Sequence, residues 1–408
     1  MREAFENSLA ANPDDLAGWC AYADYLAEQD DPRGEFMQVQ LALEDGSRSM
    51  DERDILKTRE AELLVAHERE WLGDLAPHLL DRDDSGPRAE HWWARGYLTE
   101  LRVEWLTNRF AQALTAAPVT RTLRALRIEG QTPRSTFVTD TPPQAPLPPG
   151  ATAHEPYFEL IGAPWLATLQ SFQVGESGGD SDDAQTDVRM RAPGLEHLVA
   201  EMTRVEELQL LCRGYDAGTL FALSSLTNLQ VLRVVGFGDG GDGPPIPLGE
   251  LARNPVLANL THLFVHPNST GWNYLPLAQV RTLVNSPWLK SLTHLQLRLS
   301  NMGDDGATAI VESGIVNRLG RLDLRNGTIT DHGARAFVAC AAAKELRRLD
   351  LSRNAVTHVG LNLLTRAGVN AVAKTVASRR ELDAHEANVR NHRGRYDPDD
   401  EGREGDWE

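Results

Sequence analysis

Three cysteines in 408 residues, Cys20, Cys212 and Cys340, show no paired spacing, which excludes a disulfide framework and favours a reducing compartment. Long apolar runs are also missing: no stretch approaches the ~18 residues that a membrane-spanning helix needs. The start, Met1-Arg2-Glu3-Ala4-Phe5-Glu6, lacks the apolar core of a secretion signal. A cytoplasmic protein with no membrane partner is expected. Basic side chains are outnumbered, 41 Lys and Arg against 59 Asp and Glu, for a net charge of −18. Binding to nucleic acid through its phosphates needs a basic footprint, so that partner class is not expected.

Catalytic signatures are absent too. The chain holds no phosphate-binding loop, strand-linked dinucleotide fingerprint, Gly-x-Ser-x-Gly elbow or His-Glu-x-x-His helix. His67-Glu68 is followed by Arg69, Glu70 and Trp71, and His385-Glu386 meets its next histidine only at His392, off the i, i+4 face. No cofactor and no enzymatic activity are expected.

What is present is repetition. Nine copies of Leu-x-x-Leu-x-Leu or a near variant begin at Leu98, Leu123, Leu169, Val205, Leu229, Leu260, Leu292, Leu319 and Leu346. The last three are 27 residues apart, a period that signals stacked structural units. In those units Gly306, Gly333 and Gly360 recur fourteen residues after the first Leu, followed four residues later by Ile310, Phe337 and Leu364. The glycine is expected to open an outer helix where a neighbouring backbone comes close. A second mark supports the register: Pro118, Pro164, Pro255 and Pro287 each precede a first Leu by five residues. Proline cannot continue a helix, so each marks where an outer helix stops.

These repeats resemble the ribonuclease-inhibitor type of leucine-rich repeat. The resemblance implies an α/β solenoid with parallel strands inside and helices outside. Asn354 stands where that family places its turn-binding asparagine, whereas Gly327 and Ser300 occupy the same place in neighbouring units.

In such a strand the leucines point inward, and the third, fifth and seventh residues share the concave face. Over the last four units the third-position column reads His262, His294, Arg321, Arg348. The fifth reads Phe264, Gln296, Asp323, Asp350, and the seventh His266, Arg298, Arg325, Ser352. A basic patch in an acidic chain suits an acidic protein partner, whether a separate peptide or the chain's own tail, because arginine forks bind carboxylates. A solvated Arg–Asp ladder of little net energy is the competing reading. The grouping of His262, His266 and His294 leaves one alternative from another class, a metal-dependent enzyme or metal protein.

The first 80 residues read as an all-α head. Asn12-Pro13-Asp14-Asp15 reads as a helix start, with Asn as the cap, and Leu16, Trp19, Ala23 and Leu26 follow at helical spacing. Asp30-Asp31-Pro32-Arg33-Gly34 breaks that helix, and Ser49-x-x-Glu52 resembles a capping box. Asn12-Pro13-Asp14-Asp15, Tyr22-Ala23-Asp24-Tyr25-Leu26 and Asp31-Pro32-Arg33-Gly34-Glu35-Phe36 resemble the bacterial repeat-companion domain over residues 3–45. Tyr25 departs from that family's more usual Trp. The resemblance implies architecture and a bacterial source, with no assigned activity. Arg33 is expected to pair with Asp24 or Glu35 and fix the turn, a partner-docking cluster being the other reading.

The expected layout is a helical head at 1–80 and a solenoid at 92–366, with a Pro-rich insertion near 131–156. A capping helix at 367–393 and a disordered acidic tail at 394–408 complete it. Residues 1–90 carry net −14 and 397–408 net −6, leaving +2 for the repeats. Gly-Asp runs at 178–183 and 238–243 lack the ligand spacing of a calcium loop. The functional expectation is a non-catalytic scaffold or sensor that binds a protein on the concave face.

Overall fold

A computed structural model describes residues 1–81, 89–129, 137–138, 142–149, 154–175, 190–235, 246–267 and 275–373. The two Gly-Asp runs, residues 374–393 of the expected capping helix and the tail at 394–408 lie outside the described residues, as does half of the Pro-rich insertion. The chain divides into two compact units, Met1–Asp239 and Gly240–Glu408.

The first unit opens with four helices, α1 (Arg2–Ala11), α2 (Leu16–Ala27), α3 (Pro32–Glu44) and α4 (Met50–Leu72), followed by the short α5 (Ala76–Leu79). The helix start expected at Asn12 moves: Asn12 closes α1, and Asp15 caps α2 by accepting from Gly18 N at 3.0 Å. Asp15 stands immediately before the new helix, where its carboxylate meets one of the free N–H groups of the first turn. Asp31 caps α3 with Pro32 in its first turn, and the Ser49–Glu52 capping box on α4 is formed from both sides.

The head packs through two aromatic clusters. Trp19, Tyr22, Leu26 and Met37 close around Tyr97, and Phe36, Val39, Leu63 and Trp71 receive Trp93. Trp93 and Tyr97 come from a hairpin of β1 (Ala89–Ala94) and β2 (Tyr97–Val103), turned by Arg95 and Gly96 at φ 50° and 77°. Arg33 does not pair with Asp24 or Glu35. Asp24 accepts from Gln38 at 2.8 Å and Glu35 holds Arg59, while the buried Arg33 guanidinium lies over the rings of Trp71 (5.7 Å) and Tyr97 (5.6 Å). Cation–π attraction replaces the expected ion pair.

Beyond β2 the first unit adds β3 (Leu106–Thr107), paired with β5 (Phe137–Val138), and α6 (Asn108–Ala116). The repeat strands continue as β4 (Ala125–Ile128), β6 (Ser171–Val174), β7 (Glu207–Leu210) and β8 (Val231–Val235), with α7 (Leu195–Val199) and α8 (Ala217–Phe221) between them. Residues 142–149 form neither helix nor strand and are tethered by Glu159, which accepts from Gln144 N and Ala145 N.

The second unit repeats a strand and a helix: α9 (Leu248–Arg253), β9 (His262–His266), α10 (Leu277–Val284), β10 (His294–Leu297), α11 (Gly303–Glu312), β11 (Arg321–Asp323), α12 (Asp331–Ala339), β12 (Arg348–Asp350), α13 (His358–Arg366) and β13 (Ala371–Val372). Within each unit the strands that carry the leucine phrase run parallel and in phase. Glu100, Ala125, Ser171, Glu207 and Val231 pair in turn in the first, as do His262, His294, Arg321 and Arg348 in the second. Every one of those residues is the third of its phrase. The leucines are buried to within a few per cent, as are Ile310, Phe337 and Leu364 behind them. Burial of each such side chain stabilises by about 1.5–3 kcal/mol.

Pro118, Pro164 and Pro255 each open a short 3-10 turn after the preceding helical segment has ended, so they restart the chain as well as stopping it. Residues 371–372 contradict the helix expected from 367 onward. They pair with Leu349 and Asp350 as β13, where the open edge of β12 offers unmet backbone donors and acceptors.

Candidate functional site

The face opposite the buried leucines of the second unit holds all eleven residues expected to form a docking surface. Backbone pairing sets His262, His294, Arg321 and Arg348 side by side on four adjacent strands, with Phe264, Gln296, Asp323 and Asp350 in the next column. His266, Arg298 and Arg325 stand at the strand ends beyond them.

The histidines are locked by their own strands. His262 and His294 stack with ring centroids 4.0 Å apart and planes 13° from parallel. Thr261 and Thr293, each one residue earlier, place a hydroxyl 2.8 and 2.9 Å from the neighbouring Nδ1. Burial lowers the pKa of both rings, and Arg321 lowers it further. His266 is more enclosed, and burial followed by the charge of Arg298 brings it down to about 4. All three rings are neutral at pH 7.

The arginines and aspartates form a chain. Asp323 accepts from Arg298 Nε at 3.0 Å and from Arg325 Nη2 at 2.7 Å. Asp350 takes Arg348 Nη2 at 2.7 Å and lies 4.0 Å from Arg325 Nε. Burial alone would raise the Asp350 carboxyl, but hydrogen bonds from Ser352 and Arg348 outweigh it and hold it below the ordinary carboxylate value. The ladder expected as the competing reading is therefore present, yet it does not absorb the whole column. Arg321 is exposed and, among the described residues, has no hydrogen bond or ion pair. Among the described residues, these columns hold four arginines and two aspartates, beside histidines that are neutral.

This arrangement does not make a ligand set for a metal. Imidazole lone pairs lie in the ring plane, so two stacked rings aim them side by side instead of at one point ~2 Å from each. Among the described residues, no group of three or more His, Cys, Asp or Glu side chains is placed to hold a metal ion. Nothing here favours the metal-dependent alternative.

One feature of the supporting structure was absent from the sequence reading. Asp304 on α11 accepts from Thr330 N (2.8 Å), Thr330 Oγ1 (2.7 Å) and Gly333 N (2.9 Å), capping the next helix, and Asp331 on α12 does the same for Thr357. A Cβ on Gly333 would lie 2.5 Å from Asp304 Oδ1, and one on Gly360 would lie 2.3 Å from Asp331 Oδ1. The glycines are thus spaces for the preceding repeat's carboxylate, inside the first turn of the helix. The 27-residue interval between Asp304 and Asp331 was the available signal. Asn354 lies buried in the turn: it accepts from Gly327 N (2.8 Å) and Ile329 N (3.0 Å) and donates to Leu324 O (2.8 Å) and Leu351 O (3.1 Å).

The family model described as "Leucine Rich repeat" matches residues 289–311, which contain β10 and most of α11. Over that stretch the chain is similar to a leucine-rich repeat, and the strand-and-helix repetition of the second unit is of the same kind. A protein from Bacteroides fragilis is similar at 16% identity over 52% of this chain and 68% of its own, with a TM-score of 0.34. A leucine-rich-repeat protein of Leptospira interrogans is similar at 16% identity over 67% of this chain and 52% of its own, with a TM-score of 0.35. No curated protein matches the sequence. Among the described residues, no helix is long and apolar enough to cross a membrane.

Proposed function

We propose that the leucine-rich repeats serve a non-catalytic protein-interaction scaffold or sensor, whose second unit receives an acidic segment of a partner protein on its strand face. The observation that carries this is Arg321, exposed beside neutral His294 and next to Arg348, in a column free of acidic side chains. Leucine-rich-repeat proteins generally bind proteins, and arginine forks bind carboxylates in two-pronged fashion. The helical head, with its likeness to the bacterial repeat-companion domain, closes the N-terminal end of the strands, and the three free cysteines suit a bacterial cytoplasm.

A fluorescent poly-glutamate peptide tests the reading. It should bind the full chain, and the double substitution Arg321→Glu and Arg348→Glu should weaken it at least tenfold with an unchanged circular dichroism spectrum. Equal binding by the double variant would remove the proposal.

A further inference from the structure

Residues 142–149 of the Pro-rich insertion, in the first unit, are gripped from one side while most of their side chains stay exposed. The grip comes from Glu159, itself 6% exposed, on the 3-10 turn Pro156–Leu160. Its carboxylate accepts from Gln144 N at 2.8 Å and from Ala145 N at 3.1 Å. Gln112 of α6 adds to the hold, accepting from Gln144 Nε2 at 3.1 Å and donating to Pro142 O at 3.5 Å. Two successive N–H groups aimed at one carboxylate turn the chain, which bends at Ala145.

Past the bend, the sequence itself sets the backbone. The rings of Pro146, Pro148 and Pro149 fix φ near −65°. Ala145, Leu147 and Pro148 each precede a proline, which disfavours helical backbone and favours the polyproline II region. A polyproline II helix has about three residues per turn, so positions three apart share a face. Burial follows that period. Ala145 is half-buried and Pro148 buried, whereas Pro146, Leu147 and Pro149 are exposed, Leu147 to 49%. Pro146 and Pro149, three apart, therefore stand on one outward edge beside Leu147. Between 145 and 149 only Ala145 and Leu147 carry a backbone N–H, and Glu159 takes the first. What remains outside is an apolar strip with few polar groups to satisfy.

Such a strip suits a groove lined with aromatic side chains, which takes up prolines in the spacing Pro-x-x-Pro. A strip already ordered by its prolines and by Glu159 loses less conformational freedom on docking than a free peptide does. We propose that Pro146–Pro149 is a docking ligand for a partner domain with an aromatic-lined, proline-reading groove. This strip belongs to the first unit, and its docking does not depend on the acidic-partner reading of the second.

The test titrates the full chain against a panel of labelled SH3, WW and EVH1 domains, which are grooves of this chemistry, and reads fluorescence anisotropy. At least one domain should bind. The double substitution Pro146→Ala and Pro149→Ala should weaken that binding about tenfold or more, with an unchanged thermal melt. Pro142→Ala, before the bend, should leave it in place. The full chain should bind at least as tightly as a free peptide of residues 142–149. Absence of binding by every domain overturns the proposal, as does equal binding by the double variant. So does an equal loss with Pro142→Ala, which would trace the effect to the shape of the loop instead of the strip. Binding by the free peptide without binding by the full chain would mean that the folded protein hides the strip, and overturns it as well.

Discussion

Burial and charge set opposite demands on single residues of the strand face, and His266 shows which prevails. It is 5% exposed and stands beside Arg298, so a proton on its ring would lack both water and a counter-charge. Its folded pKa of about 4 lies below the usual 6.5. Between those values the unfolded chain binds a proton that the folded chain refuses, so stability rises with pH across that window. The contribution is complete above pH 6.5 and is lost as pH falls toward 4. Urea unfolding should show the chain losing about 1–2 kcal/mol more than a His266→Phe variant between pH 7 and pH 5. Parallel pH curves for the two proteins would rule this out. Asn354 illustrates a different balance: a buried amide is tolerated because four backbone groups of the turn complete its bonding. Arg33 was the residue least accessible to sequence reasoning. Its aromatic partners lie on α4 and β2, and nothing local distinguishes an arginine that stacks on rings from one that forms an ion pair.

Among the elements, α11, α12 and α13 are joined by a device that the 27-residue period contained and the leucine pattern concealed. α12 and α13 each begin where the previous helix supplies a carboxylate, so these caps run between repeats instead of within one. In an ordinary helix, alanine would improve on Gly333 by roughly 1 kcal/mol. Here its Cβ would lie 2.5 Å from Asp304 Oδ1 and 2.8 Å from Ile329 Cγ2, so the contact decides the sign. Gly333→Ala should destabilise by about 1–3 kcal/mol, and Asp304→Ala should cost a similar amount through the lost cap. The double variant should cost less than the sum, because removing the carboxylate opens part of the space the methyl needs. Strict additivity in denaturant titrations would show that the two residues do not share that space. The hairpin of β1 and β2 was also missed, although Trp92-Trp93 followed by Arg95-Gly96 is a strand-and-turn signal. The expected helix at 367 failed for a reason outside its own residues: the edge of β12 rewards pairing more than Val369 and Val372 reward a helical turn.

Across the whole molecule, legibility followed the length over which a pattern repeats. Leucines spaced three and two apart returned the in-phase strand register of both units, since a one-residue slip would expose every buried leucine. Residues of the strand face were legible as columns for the same reason. Their pairings were not, because Arg298, Arg325 and Arg348 had two aspartates to share and only geometry apportions them. The charge of the chain carries one further consequence. At −18, the protein as a whole repels an acidic segment, while the arginines of one face attract it. These opposed fields differ in range. Salt at 0.01 M leaves a screening length of about 30 Å, so the repulsion from the full charge reaches an approaching peptide. At 0.1 M the length falls to about 10 Å, which removes much of that repulsion and spares contacts at the arginine forks. At 1 M it is about 3 Å, and the forks weaken as well. Affinity for poly-glutamate should therefore peak near 0.1 M salt and decline on both sides, measured by fluorescence anisotropy on the full chain. A steady fall from the lowest salt upward would mean that the face alone governs the encounter. A flat profile would mean that carboxylates are not what it binds.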